Sequence, residues 1–336
     1  MNVSVKNIEQ PGKIFTANDE NFIPLALEVF RFQHEYNQVY RKYCDSLKTE
    51  ANMIERIQQI PYLPIRFFKS HRVITTEFNT ETVFESSGTT ETTRSKHYVK
   101  DTTLYEKSFS DTFRLFYGDP AGWCVIALLP SYLERNNSSL VMMADKLIRQ
   151  NNYPQSGFYL NKWKELQTTL QQLEKLEQKT LLLGVTFALL DFAAQCPMQL
   201  KFTTIMETGG MKGRIKEMPR QQVHGILRNS FLVDQIHSEY GMTELLSQAY
   251  SPGDGIFNCP PWMKVLLREE DDPFAIRLAD TTGTVTGAIN IIDLANIYSC
   301  SFIATEDAGK LYTDSSFEVL GRLDNTDIRG CSLISM

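Results

Sequence analysis

Glu85-Ser86-Ser87-Gly88-Thr89-Thr90-Glu91-Thr92-Thr93-Arg94-Ser95-Lys96-His97 is the stretch on which the reading of this chain turns. Hydroxyl side chains crowd a single glycine, and Arg94, Lys96 and His97 follow at once. Such a loop suits a polyphosphate. Gly88 lets backbone approach oxygen atoms closely, turn N–H groups form an anion nest, and Arg94 can grip phosphate with two parallel bonds. The spacing of a GxxxxGK[ST] phosphate loop is absent, and a plain polar turn is the competing reading. Upstream, Arg72-Val73-Ile74-Thr75-Thr76-Glu77-Phe78 has the β-branched alternation of a strand.

Working outward, the 336 residues suffice for one large domain or two ordinary ones. A content of 42% hydrophobic and 22% charged residues is that of a soluble globular protein. The formal net charge of −6 argues against a nucleic-acid partner, which calls for a basic face. No apolar run approaches the roughly 20 residues of a membrane span, and the N-terminus lacks the apolar centre of a signal peptide. The six cysteines, Cys44, Cys124, Cys196, Cys259, Cys300 and Cys331, include no CxxC pair, which fits a reducing cytoplasm.

Residues 21–60 read as helical, with Asn21 as a cap and Phe22, Leu25, Ala26, Val29 and Phe30 at helical spacing. Pro61 and Pro64 then force an extended segment. Helices are expected over 102–116, from a Ser138 or Ser139 cap to Gln150, and over 161–179. Between them the runs 123–130, 181–187 and 201–206 read as buried strands. This alternation predicts an α/β fold with mostly parallel sheets and flanking helices, whose ligands sit in loops at the carboxyl ends of strands. Three such loops stand out: Glu207-Thr208-Gly209-Gly210, Tyr240-Gly241-Met242-Thr243-Glu244, and Asp307 followed by Gly321-Arg322-Leu323-Asp324. Singly, each has a plain reading: a turn, a first-turn carboxylate at a helix dipole, a bend between strands.

In this order, the stretches resemble motifs of the adenylate-forming superfamily of acyl- and aryl-CoA ligases, luciferases and peptide-synthetase adenylation domains. Ser86-Ser87-Gly88-Thr89-Thr90 resembles its SSGTTGxPK loop, Tyr240 to Glu244 its YGxTE motif, Asp307 its ribose-binding aspartate, and Gly321 to Asp324 its GRxD. Within the superfamily the chain is most similar to acyl-protein synthetases, the acid-activating subunits of bacterial-luminescence fatty-acid reductase complexes. Pro61-Tyr62-Leu63-Pro64, Phe68-Lys69, residues 130–135, Glu207 to Gly210 and Arg329-Gly330-Cys331-Ser332 carry that likeness. Two departures stand: Glu91 replaces the family's glycine after SSGTT, with Arg94 aligned to its loop lysine, and the sequence ends shortly after GRxD.

The resemblance implies residues 1–80 as a helical N-terminal segment packed on an α/β adenylate-forming domain, 81–336, that lacks the family's small C-terminal domain. It implies ATP and Mg²⁺ as cofactors and a carboxylic, fatty, acid as substrate. The acyl group would pass from acyl-AMP to an enzyme cysteine and then to an acyl-CoA reductase-like or carrier protein. Ser86, Ser87, Gly88, Thr89, Thr90 and Arg94 would hold the β- and γ-phosphates, Thr243 the α-phosphate and Glu244 the metal. Tyr240, Gly209 and Gly210 would flank adenine, and Asp307 and Arg322 the ribose. Cys331 would accept the acyl group, with Arg329 raising its thiolate fraction. The apolar run 140–143 is a candidate lining for the acyl channel. An AMP-forming acyl-CoA ligase and a non-catalytic adenylate-binding module are the alternative readings.

Overall fold

The structure, a computed structural model, describes residues 11–86, 93–129, 137–160, 162–209, 218–277 and 283–323. Helices α1 (Phe22–Tyr36) and α2 (Gln38–Ser46) open it, where one helical stretch to residue 60 is expected. Asn37 makes the break. It adopts an extended backbone, accepts from Tyr40 N to cap α2, and donates to Ser299 O at 2.8 Å from a fully buried position. Asn21 precedes α1 but makes no capping bond with it.

Beyond β1 (Leu63–Pro64) and the short α3 (Phe67–Ser70), the expected strand over 72–78 is not formed. Thr75 N donates to Tyr298 O and Thr76 N to Tyr36 O, so these donors serve loops rather than a ladder. Thr76 also has a left-handed φ of 65°, which no continuing strand accommodates. The hairpin instead begins later, as β2 (Thr82–Glu85) and β3 (Lys96–Val99), which flank the hydroxyl-rich loop.

The next elements alternate as predicted: α4 (Thr102–Tyr117), β4 (Cys124–Leu128), α5 (Ser139–Arg149), β5 (Gly157–Phe158), α6 (Trp163–Lys175), β6 (Thr180–Val185), α7 (Thr186–Gln195), β7 (Thr203–Thr208), α8 (Arg220–Phe231) and β8 (His237–Tyr240). Ser138 caps α5 through Val141 N, as its position suggests. Strand β9 (Ala249–Ser251) completes a six-stranded sheet of order β5-β4-β6-β7-β8-β9. Its pairs are parallel except β8 with β9. Every residue of β4 and β6 is buried, as continuous apolar strands covered on both faces should be.

The second sheet corrects the expectation of mostly parallel strands. Strands β10 (Ile256–Phe257), β11 (Met263–Arg268), β12 (Ile276–Arg277), β13 (Val285–Asp293), β14 (Phe302–Leu311) and β15 (Phe317–Arg322) pair antiparallel in the order β10-β15-β14-β13-β11-β12. Only β1, beside β14, runs parallel among the described pairs of this sheet. A parallel return needs a crossover of a dozen or more residues, usually a helix. Strands β14 and β15 are instead joined by the short link 312–316, which permits only a hairpin.

Helix α1 docks on this sheet. Phe30 meets Phe302 edge-on at 6.0 Å, and the buried Gln33 amide donates to Asn296 O and Ile297 O while accepting from Ser301 N. No described helix is long and apolar enough to cross a membrane.

Candidate active site

The two sheets meet where β8 ends. Tyr240, its last residue, donates its hydroxyl to Asp307 Oδ2 on β14 at 2.9 Å, joining two of the predicted motifs. Its ring packs against Phe257 and Phe317 at 5.8 and 5.6 Å and is 8% exposed. Burial, with Asp307's charge adding to it, pushes the phenol well up, so it stays a donor. Arg322 on β15 is the register partner of Asp307, with Nε 3.9 Å from Oδ1. Three strands from two sheets thus bring Tyr240, Asp307 and Arg322 together.

The turn after Tyr240 is held from three directions. Thr243 O accepts from His97 Nδ1 at 2.9 Å, and His97 Nε2 faces Ser299 Oγ at 2.9 Å. Because a carbonyl only accepts, Nδ1 carries the proton, and Nε2 takes the serine's. Burial pushes His97 down to about 4, so the ring is neutral at physiological pH. Glu244 is buried, and its carbonyl accepts from Asn296 Nδ2 at 2.8 Å. Asp293 accepts from Leu246 N and Ser247 N, both at 2.9 Å, and from Ser247 Oγ at 2.6 Å. Burial still pushes its carboxyl up to about 6, against those bonds. Sequence reasoning named His97 only as part of the polyphosphate loop, not as a support of this turn, and missed Asp293, Asn296 and Ser299. The polar pair Asp293 and Asn296, interrupting the apolar Ile291-Ile292-Asp293-Leu294-Ala295-Asn296-Ile297, was the signal available.

Two carboxylates lie on adjacent strands beside this turn, on opposite faces of the sheet. Glu207 accepts from Thr186 Oγ1 and Ser238 Oγ at 2.9 Å and from Arg220 Nε at 3.2 Å. Burial alone would raise it; His224, Arg220 and the two hydroxyls carry it below the ordinary value. Arg220 also donates to Val319 O, so Glu207 braces one sheet against the other. Glu239 accepts from Thr208 Oγ1, and burial pushes it up to about 7, with Glu207 adding to the rise. Gly209, next along, has the left-handed φ of 69° that glycine tolerates, and its carbonyl accepts from Thr186 Oγ1.

The phosphate-loop candidates divide. Ser86 closes the hairpin's base, donating N–H to Ser95 O and accepting from Ser95 N. Arg94 pairs with Glu85 at 3.6 Å, and Lys96 reaches the same carboxylate at 4.0 Å. Both line a cleft of about 560 Å³ with Lys69, His71 and Arg72. Along β3, Lys96 and Tyr98 face this cleft while His97 faces inward to Thr243. Ser87, Gly88, Thr89, Thr90, Gly210 and Cys331 lie outside the described residues. Among the described residues no group of three or more His, Cys, Asp or Glu could hold a metal. Mg²⁺ takes one or two carboxylates and completes its shell with water and substrate phosphate, a requirement that the single carboxylate of Glu244 fits.

Residues 10–107, from the N-terminal helices through the β2–β3 hairpin, match the family described as acyl-protein synthetase, LuxE. The long-chain-fatty-acid–luciferin-component ligase of Photorhabdus luminescens is 41% identical over 66 residues, which are 19% of this chain and 56% of that protein. The match thus spans little more than half of that relative's length. Among solved structures, the luciferase-like enzyme of the nonluminescent mealworm Zophobas morio aligns with a TM-score of 0.48 and 14% identity, covering 75% of this chain and 60% of that one. O-succinylbenzoate coenzyme A synthetase (MenE) of Bacillus subtilis, in complex with ATP and magnesium ion, aligns at 0.46 and 16%, covering 75% and 52%.

Proposed function

We propose that this chain, whose residues 10–107 match the acyl-protein synthetase family, is a ligase that activates a fatty acid with ATP and hands the acyl group to a thiol. A carboxylate oxygen of the acid attacks the α-phosphorus, the bond to pyrophosphate breaks, and acyl-AMP remains. A thiolate, that of Cys331, then attacks the acyl carbon, the bond to AMP breaks, and a thioester forms. A partner reductase or carrier protein takes the acyl group from there.

The observation that carries this reading is the Tyr240–Asp307 bond at the junction of the sheets, beside the turn that presents Thr243 and Glu244. Asp307 accepts the ribose hydroxyls, with Tyr240 aiming its carboxylate and Arg322 beside it. The ring of Tyr240 is covered by Phe257 and Phe317, so a strut for Asp307 suits it better than a platform for adenine. Gly209 and Gly210 leave room for the base. Thr243 donates to the α-phosphate, its backbone held by neutral His97. Ser86, Ser87, Gly88, Thr89, Thr90 and Arg94 hold the outer phosphates. Magnesium, bound with ATP by Glu244, supplies neutralisation of charge that develops on phosphate oxygens.

Fatty-acid-dependent ATP–pyrophosphate exchange tests the reading, and exchange with no acid in a panel of chain lengths would overturn it. Glu244→Gln removes the carboxylate charge at nearly constant volume. It should lower exchange at least about tenfold while leaving thermal unfolding unmoved. Unchanged exchange with unchanged Mg²⁺ dependence would remove Glu244 from the metal site.

A further inference from the structure

We propose that Glu239 is a positioning residue for adenylation: its buried carboxyl, packed between Thr208 and Gly241, holds the turn that carries Thr243 and Glu244. The inference rests on the adenylating role given above, and its test separates the two.

The geometry is specific. Glu239 is the residue before Tyr240 and is 8% exposed. In register it stands between Thr208 of β7 and Tyr250 of β9. One carboxyl oxygen, Oε2, accepts from Thr208 Oγ1. The other lies against the backbone of Gly241, where a Cβ would collide with Oε1. A larger residue at 241 would have to displace the carboxyl, so the carboxyl and the first residue of the turn are packed against each other. The turn's far end is fixed to His97 through Thr243 O.

The surroundings accommodate a neutral group and resist a charged one. Tyr105 from α4 and Tyr250 from β9 face Glu239 electrostatically, and burial raises both phenols far above neutrality. Glu207, across the sheet, is held below the ordinary carboxylate value by His224 and Arg220. His237, two residues back, contacts the Tyr117 hydroxyl at 3.1 Å and is lowered by burial. A second buried negative charge beside Glu207, with no cation paired to it among these described residues, is repelled by Glu207 and seeks solvation. Deprotonation of Glu239 therefore pushes its carboxylate out from between Thr208 and Gly241, and the Gly241–Thr243 backbone moves with it.

Two readouts are required. ¹³C-methyl methionine labelling reports the turn directly through Met242, assigned with Met242→Leu and recorded without ligands. The Met242 resonance should shift with an inflection near pH 7 in the wild type. In Glu239→Gln, where the amide mimics the protonated acid, it should stay put between pH 6 and 8.5. In parallel, wild-type pyrophosphate exchange should fall by up to about fifteenfold from pH 7 to 8.5 as the acid deprotonates. Glu239→Gln should keep its pH 6 activity across that range. Thr208→Val removes a bond that favours the charged form and should move both inflections to higher pH. A Met242 inflection that survives in Glu239→Gln, or none in the wild type, overturns the proposal. A wild type that shows the inflection but no exchange at any pH refutes the adenylating role and leaves Glu239's hold on the turn standing. Should Glu239→Gln fail to fold, Thr208→Val decides: unmoved inflections overturn the proposal.

Discussion

Asp307 and Tyr240 lie 67 positions apart and meet through one hydrogen bond, so their substitutions should differ in kind. Asp307→Asn removes the charge that would accept ribose hydroxyls. A bond to a charged group is worth roughly 1.5–3 kcal/mol, so ATP titrated by calorimetry should bind about one to two orders of magnitude more weakly. Tyr240→Phe only frees the aspartate to reorient, and the loss should be smaller. Equal affinity for Asp307→Asn and wild type would take Asp307 out of the site. At Cys331 the argument comes from its neighbours in sequence and from the other thiols. Burial raises Cys44 and Cys259 to about 12, and raises Cys124, Cys196 and Cys300 as well, which suppresses their thiolates. Cys331→Ser is expected to retain acid-dependent exchange yet lose hydroxylamine-sensitive labelling by radioactive fatty acid. Full labelling of that variant would move the acceptor elsewhere.

At the scale of elements, polar residues decide where helices and turns stop. Asn37 ends one helix, caps the next, and ties both to Thr75 and Ser299, all from a buried position. Asn37→Ala loses the cap and leaves the Ser299 carbonyl one donor short. The expected cost is about 2–3 kcal/mol, read as a lower urea midpoint at unchanged m value. A cost under about 0.5 kcal/mol, the range of ordinary surface changes, would show that the break is set by packing alone. The β2–β3 hairpin is the other decisive element. It turns His97 toward Thr243 and Lys96 toward the cationic cleft, because successive side chains of a strand point to opposite faces.

For the whole molecule, buried titratable groups bracket the pH range of stability. Folding raises Glu239 and Asp293, to about 7 and about 6, so the native state holds their protons more tightly than the unfolded chain does. Their contribution is complete below the ordinary carboxylate range and is lost as pH rises through 6 and 7. His97 works the other way: lowered to about 4, it costs stability progressively as pH falls below 6.5, fully so beneath 4. The urea midpoint should therefore fall between pH 6 and 8, and Glu239→Gln should remove much of that fall. A wild-type midpoint that holds level or rises over this interval would contradict the burial assigned to both carboxyls.

Local order in the chain determined much of this. Apolar runs bounded by turn residues placed β4, β6 and β7, a serine before an amphipathic run placed α5, and the ordered motifs marked Tyr240, Thr243, Glu244, Asp307 and Arg322. These signals are local because propensity, capping and periodicity act within a few residues. The sequence did not reveal which strands run antiparallel, why 72–78 is a loop, or which groups hold the turn after Tyr240. Those features depend on partners far along the chain: Thr75 on Tyr298 and Ser299, Glu244 on Asn296, Thr243 on His97. Whether a buried carboxyl such as Glu239 keeps its proton is likewise decided by what packs around it, and only the tertiary structure supplies that environment.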